Sequence, residues 1–460
     1  MTRDHRPPSS KLPSPPDLPA EAGRSIDVAV AGPAAVDRSA ELVSRIRGAI
    51  RSSRNERITF AQYMTLALYD PELGYYRQPI DRPTDAGDFL TAPETHPIFG
   101  WTVARRIEAM WEELGRPRPF NLFEDGAGSG TLGLSILEGF RRHDQADLLD
   151  AVRYTPSESN EYRQADLLRR FEEAGLTRHL LLSGARGGSG VVLANEYLDA
   201  LPVHRVVVQG GELRELYVTW RGELAEAGSA ALPGAPAEPS GPGEPGEPGG
   251  PGGPGGPGGP GEPGAGGIPG APGGSGIPPR GAFVEVVAEP STPELALRLT
   301  DDGVVLAEGQ VAEICLGLKP WLEGSAVHLA RGFVLVIDYG YEAAELYGPR
   351  HLAGTLLGYR GHKVETDPFA APGQTDLTAH VDFTAVSRLA AGIGFRTVSL
   401  TTQSEFLVAA GLEEELRALQ ASPDLTLADY TRARSGIVRM LDPRRMGGFK
   451  VLTLELGAGQ

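Results

Sequence analysis

Between Phe120 and Leu132 the chain reads FNLFEDGAGSGTL. A short, largely apolar run leads to the acid pair Glu124-Asp125, then to glycines at 126, 128 and 130, then to a helical pattern. That order predicts a buried strand, a tight turn and a helix start. Glycines leave peptide amides unshielded, and the first turn of a helix aims its N–H groups at whatever lies before it. Such a turn suits a nucleotide-type ligand. A carboxylate at the strand end can accept hydrogen bonds from an ammonium group. The E-x-G-x-G-x-G arrangement therefore suits S-adenosylmethionine, with Glu124, Gly126, Gly128 and Gly130 as its contacts.

A dinucleotide is the rival ligand, because Gly128, Gly130 and Gly133 also satisfy G-x-G-x-x-G. That fingerprint wants an acid about 20 residues on, at the end of the second strand. Asp147 and Asp150 fall near that distance but sit in a helical stretch. The acid that ends the second strand is Glu158, placed to take the ribose hydroxyls of an adenosine. An NAD-linked oxidoreductase is thus the weaker reading.

Further chemistry gathers at other strand ends. VVLA is followed by Asn195-Glu196-Tyr197-Leu198-Asp199, an amide, two acids and a ring where a reacting group would lie. FVLVI is followed by Asp338-Tyr339-Gly340. Ahead of the sheet, Gly87-Asp88-Phe89-Leu90-Thr91-Ala92-Pro93-Glu94 is either a lid carrying Asp88, Thr91 and Glu94 or a helix cap. Late in the chain, Pro372–Phe383 is a polar cluster, and its His380 reads better as a structural histidine than as a proton acceptor. The nine histidines show no metal-ligand spacing, so no metal is expected. Neither a G-x-S-x-G elbow nor a G-x-x-x-x-G-K-[ST] loop occurs, which removes serine hydrolases and P-loop enzymes.

The elements that must hold these groups alternate. Strands are predicted at Phe120–Phe123, Tyr154–Glu158, Val191–Ala194, His204–Val208, Phe333–Ile337, Thr397–Thr401 and Phe449–Leu454. Several are continuous apolar runs, as in parallel strands covered on both faces. Helices are predicted from Thr59, where Thr59 and Gln62 match a capping box, over 97–115, and after Gly130. Alternating strands and helices indicate an open α/β sheet, with ligands outside the carboxyl ends of its strands.

Residues 1–40 are rich in Pro, Ser and charge and read as a disordered arm. Glycine recurs at every third position from 243 through 276, usually with proline two residues later. This collagen-like period within 233–279 reads as a disordered linker inserted into one discontinuous domain, 41–232 and 280–460. The net charge of −17 argues against non-specific binding of nucleic acid or anionic membrane. Cys315 is the only cysteine, which excludes internal disulfides and fits a reducing cytoplasm. The longest apolar runs are strand-sized, so no membrane insertion is expected.

The segments ITFAQYMTLALYDPELGYY (58–76), GDFLTAPETHPIFG (87–100), FEDGAGSGTL (123–132), ANEYLDALPV (194–203), IDYG (337–340), GTLLGYRGHKV (354–364), PGQTDLTAHVDF (372–383), TQSEFLVAAGL (402–412) and FKVLTL (449–454) together resemble the MidA-like class I methyltransferases. Nine segments in one order make the resemblance specific. It implies an α/β class I methyltransferase fold, a Rossmann-like, mostly parallel seven-stranded sheet with an additional helical substrate lobe. It implies S-adenosyl-L-methionine as methyl donor and a protein arginine as acceptor, in mitochondrial members a subunit of respiratory complex I. Glu124, Gly126, Gly128, Gly130 and Glu158 match the family's cofactor positions. Asn195, Glu196 and Asp199 match its NE-x-x-DALP segment and are the expected catalytic residues. Asp88, Thr91 and Glu94 match GDF-x-T-x-PE and are expected at the substrate. The long arm, the insert and Ala-Gly-Ser at 127–129, where many relatives carry Pro-Gly and a basic residue, depart from the family and bear on partner choice. The alternative is a scaffold that keeps the fold without catalysis.

Overall fold

Six extended runs, mostly with buried residues on both faces, build the central sheet. In the computed structural model, which describes residues 38–79, 91–182, 186–222, 282–361, 363–423 and 425–457, these are β1 (Phe120–Asp125), β2 (Val152–Ser157), β3 (Gly188–Asn195), β4 (Leu329–Asp338), β5 (Phe395–Thr402) and β6 (Lys450–Leu456). Their order across the sheet is β5-β6-β4-β3-β1-β2. The four strands β2, β1, β3 and β4 run parallel, and β6 runs against both β4 and β5.

Successive residues of a strand face opposite sides, so an unbroken apolar run must be covered twice. Leu122, Leu193 and Leu335 pack on one side with Ile107 and Ile136, from helices Ile98–Glu113 and Thr131–Arg142. Phe123, Val192 and Val334 pack on the other with Leu322 and Val386, from helices Leu318–His328 and Phe383–Ile393. This double cover fixes where each strand's last side chains emerge.

The expected seven strands come to six among the described residues. Beyond β2 the chain supplies one parallel bridge, Tyr154 with Leu180, held by the Leu181 N–H to the Tyr154 carbonyl at 2.8 Å. The chain forms a tight helical turn at Thr177–His179 immediately before it, which leaves no extended run to pair.

The additional lobe is not purely helical, as the resemblance implied. It contains a five-stranded antiparallel sheet made of Ile58–Thr59, Glu212–Trp220, His204–Gln209, Val311–Ile314 and Phe283–Ala288. The strand predicted at His204–Val208 belongs here rather than to the parallel sheet. Helices Arg38–Ser52 and Phe60–Tyr69 cover it through Leu42, Ile46, Tyr63 and Met64, packed with Val218 and Phe283. The second helix starts at the predicted capping box, with Gln62 N–H donating to Thr59 Oγ1 at 3.1 Å and Thr59 N–H to Gln62 Oε1 at 3.0 Å. The first helix begins at Arg38, so the expected arm 1–40 overlaps it by its last residues. The rest of that arm and the whole insert 233–279 lie outside the described residues.

Candidate active site

β1 carries its two final acids to opposite faces. Asp125 turns towards helix Leu318–His328, where Trp321 Nε1 donates to its Oδ2 at 2.9 Å. Glu124 turns the other way and is 4 % exposed, with the Tyr154 hydroxyl donating to Oε2 at 2.7 Å. Burial pushes the Glu124 carboxyl up to about 7, against the pull of Tyr154 and the Gly133 amide.

The glycine turn follows with φ of 70° at Gly126, 56° at Gly128 and 73° at Gly130, all in the left-handed region. The three glycines differ in what their missing side chains permit. A Cβ on Gly126 would lie 2.8 Å from the Tyr197 ring, and one on Gly130 would lie 2.6 Å from Leu167. A Cβ on Gly128 would meet only Arg163, at 3.8 Å, so that backbone faces open space. Gly133, the residue that completes the dinucleotide pattern, is needed for packing, because a Cβ there would lie 2.2 Å from Cζ of Tyr154. The acids that could have served a dinucleotide, Asp147 and Asp150, are bound by Arg118 on the surface at 2.6 and 3.1 Å.

Glu158 stands beside the turn. Its Oε2 accepts the Gly128 N–H at 2.9 Å and its Oε1 the Asn160 N–H at 2.7 Å. The carboxylate expected to grip a ribose therefore also holds the backbone of the central glycine.

At the end of β3, Glu196 has φ 47°, a left-handed conformation that costs an ordinary residue about 1–2 kcal/mol. Its N–H is held by the Ile337 carbonyl at 2.8 Å. The next turn is wound around Asp338, the fully buried last residue of β4. Asp338 Oδ2 accepts the N–H groups of Tyr197, Leu198 and Asp199 at 3.2, 2.9 and 3.3 Å, and Oδ1 accepts that of Tyr339 at 2.9 Å. Burial and the Asp199 and Glu196 carboxylates push Asp338 up, and the amides act against that.

The result is a cleft of about 150 Å³ at the carboxyl ends of β1, β3 and β4. Glu124, Gly126, Gly128, Asn195, Glu196 and Asp199 line it, and Thr91 and Glu94 join them from the far rim. Gly130 and Glu158 stand behind the lining, and Asp88 lies outside the described residues. Thr91 and Glu94 also form the capping box of the short helix Ala92–Thr95, so the cap reading holds and the cleft reading does not exclude it. Burial, Asp199 and Glu94 raise the Glu196 carboxyl to about 8. Burial raises Asp199 to about 6, opposed by the Tyr339 hydroxyl that donates to its Oδ2.

Among the described residues, three buried acceptors of this wall have no hydrogen-bond partner: Asn195 Oδ1, Glu196 Oε2 and Asp199 Oδ1. Unsatisfied buried acceptors carry a penalty that a cationic donor would relieve. With the bare Gly128 backbone, they are what the ammonium of S-adenosylmethionine and a cationic acceptor would need, so the residues fit the group.

Sequence reasoning gave no role to Tyr75, Tyr76, Arg163, Tyr359, Asp376 and Thr378, which also line the cleft. Tyr75, Tyr76, Tyr359, Asp376 and Thr378 lie in segments that carried the resemblance, so the signal was present without an assignment. Tyr154 was read as a strand residue only. His380 lies outside this cleft, packed edge-on against Tyr339 with ring centroids 5.4 Å apart. Burial and His351 lower its pKa to about 4, which fits the structural reading.

Comparison with known proteins agrees with this geometry. The family model for S-adenosyl-L-methionine-dependent methyltransferases matches residues 102–401. The mitochondrial protein arginine methyltransferase NDUFAF7 homolog of Drosophila melanogaster is 26% identical over 427 residues, covering 87% of this chain and 82% of that protein. The human protein arginine methyltransferase NDUFAF7 is 24% identical, covering 85% and 78%. A crystal structure from Burkholderia thailandensis, bound to S-adenosyl-homocysteine, superposes with a TM-score of 0.71 at 26% identity over 94% of this chain and 96% of that one.

Proposed function

The chain belongs to the S-adenosyl-L-methionine-dependent methyltransferase family matched over residues 102–401, and from that premise we propose that it methylates a guanidinium nitrogen of an arginine in a protein. The observation that carries the reading is the wall of partnerless acceptors, Asn195 Oδ1, Glu196 Oε2 and Asp199 Oδ1, beside the glycine turn. The relatives named as protein arginine methyltransferases support the acceptor.

S-adenosylmethionine, when bound, supplies a methyl group on a positively charged sulfur. Glu124 would hold that cofactor, the open backbone at Gly128 would let it lie close, Arg163 would meet its carboxylate and Glu158 its ribose, while the N–H groups of Gly126, Ala127 and Gly128 are already taken by the Ser157 carbonyl and Glu158. Gly130 serves by starting the helix behind the turn. Much of the catalysis is alignment of the two reactants, an effect of about 7–11 kcal/mol at best. An arginine side chain enters protonated. Glu196 and Asp199 accept its N–H groups and localise charge away from the attacking nitrogen, which sheds a proton to Glu196. Asn195, whose Nδ2 lies 3.4 Å from Glu196 Oε1, orients that carboxylate. Thr91 and Glu94 would bound the acceptor side, where the resemblance also expects Asp88, a residue outside the described ones.

A respiratory-complex subunit is the acceptor protein favoured by the resemblance. The cytoplasm is the proposed compartment, on the strength of the single cysteine. Among the described residues, no helix is long and apolar enough to cross a membrane. Residues 41–232 and 280–460 are proposed as one discontinuous catalytic domain, which the helix from Arg38 joins.

The test has two stages. Equilibrium binding of radiolabelled S-adenosylmethionine to the full chain should saturate at one site. Mass spectrometry should then find methylarginine sites that vanish from the proteome of a deletion strain and return with the wild-type gene. Binding with no lost methylation would favour the scaffold. Loss of lysine methylation instead would overturn the acceptor.

A further inference from the structure

The wall of the cleft facing the central sheet is made of tyrosines and one more acid. Tyr75 and Tyr76 come from the short turn Tyr75–Arg77, Tyr359 from the strand Leu357–Arg360, and Asp376 from the strand Asp376–Thr378. Tyr359 and Asp376 are direct cross-strand partners. The Tyr76 hydroxyl donates to Asp376 Oδ1 at 2.6 Å, and the Tyr76 ring is held by Tyr69 and Tyr75, with centroids 5.4 and 5.1 Å away. Tyr69 is itself tied to the opposite wall, its hydroxyl donating to the Ala200 carbonyl at 2.8 Å. Burial, and after it the charges of Asp199 and Asp376, raise the pKa of the Tyr359 hydroxyl. This tyrosine therefore stands near two carboxylates of the cleft, one in the turn after β3 and one on the strand Asp376–Thr378. Asp199, 5 % exposed, lines the same cleft, and among the described residues its Oδ1 has no hydrogen-bond partner.

We propose that Asp376, oriented by Tyr76, is the acceptor-side carboxylate that selects a guanidinium over an ammonium. The inference rests on the arginine reading above and extends it. A guanidinium is a planar cation with N–H donors along both edges and two flat faces. Glu196 and Asp199 serve one edge. Asp376 serves the other, and the tyrosine rings supply surfaces for the faces, where a flat cation is attracted to the aromatic quadrupole. A lysine ammonium is a point charge that cannot span both carboxylate walls at once. Asp376 is thus a specificity-determining residue that touches substrate, and Tyr76 is a positioning residue that acts through it.

The experiment measures binding of Nα-acetyl-L-arginine amide, and of the lysine analogue, to the full chain saturated with S-adenosylhomocysteine. Wild type should prefer the arginine compound. Asp376→Asn should bind S-adenosylhomocysteine as wild type does but bind the arginine amide about tenfold or more weakly, the scale of losing a charge-assisted hydrogen bond. Tyr76→Phe should give a smaller loss and narrow the preference for arginine over lysine. Equal arginine binding by wild type and Asp376→Asn overturns the inference alone. So does a wild type without preference, or an Asp376→Asn variant that also loses S-adenosylhomocysteine, which would mark the residue as structural. A wild type unable to bind S-adenosylhomocysteine overturns the cofactor reading and this inference with it.

Discussion

Glu196 concentrates the chemistry at the residue scale. Its backbone is left-handed, its Oε2 has no hydrogen-bond partner among the described residues, and burial with two neighbouring acids lifts its pKa to about 8. A carboxyl with a raised pKa is mostly neutral near pH 7 and becomes a base as pH rises. The free enzyme's kcat/KM should therefore climb through about pH 8. Glu196→Gln should lose that limb, fall by at least a hundredfold in turnover and keep cofactor affinity. Initial rates from pH 6 to 9.5, paired with cofactor binding, check this, and a flat wild-type profile would count against the assignment. The sequence disclosed this residue because an acid at the end of a buried strand must emerge at the cleft. It could not disclose what Glu158 touches. Position at a strand end is legible from apolar runs, but the Gly128 amide that Glu158 accepts is brought there by a turn whose φ values only the folded chain reveals.

At the scale of elements, the strand–turn–helix unit from Phe120 to Arg142 separates packing glycines from ligand glycines. Gly133→Ala would force a methyl into the Tyr154 ring and disturb the hydrogen bond to Glu124. It should destabilise the fold by about 1–3 kcal/mol, the usual cost of overpacking, and weaken cofactor binding as well. Gly128→Ala places its methyl in open space at φ 56°. It should cost about 1–2 kcal/mol of backbone strain yet abolish most cofactor binding. Thermal unfolding and titration calorimetry on the two variants would distinguish them. A second device joins three helices. His143, at the end of Thr131–Arg142, lies between Glu108 and Glu415 with Nε2 2.8 Å from Glu415. Those carboxylates raise its pKa to about 9 despite burial. The folded state thus holds a proton that the unfolded chain releases near 6.5. The stabilisation is complete below 6.5 and disappears as pH rises through 9, up to about 3 kcal/mol in all. Urea unfolding at pH 6 and pH 10 should show that loss, and His143→Gln should flatten it. The central strands β1, β3, β4 and β6 were legible because both faces are mostly buried and their apolar runs are nearly unbroken, whereas β5 was read from a shorter, half-polar run. The second sheet was not, because it joins Ile58–Thr59 to Glu212–Trp220 across a sequence distance that no local pattern records.

At the scale of the molecule, the two sheets are interleaved. Strands His204–Gln209, Glu212–Trp220, Phe283–Ala288 and Val311–Ile314 all fall between β3 and β4 in the chain. Trp220 and Phe283 are direct antiparallel partners, so the segment 223–281 leaves and re-enters at one point. Replacing it with a four-residue turn should leave the fold and cofactor affinity intact. Stability should rise by no more than about 2 kcal/mol, from the smaller loop to close. Circular dichroism and cofactor titration on the shortened chain would check this, and loss of cofactor binding would give the insert a role in the site.

The position of β6 has a consequence for biosynthesis. It is the last of the described strands in sequence, yet it lies inside the sheet, wedged between β4 and β5. While residues 450–456 remain in the ribosomal exit tunnel, β4 has an unpaired edge and β5 has no neighbour. A nascent chain can collapse around β1, β2 and β3 but cannot seal the sheet that presents Asp338. Competence to bind the methyl donor should therefore wait until residues 450–456 have emerged, making the partly made enzyme a natural client for chaperones.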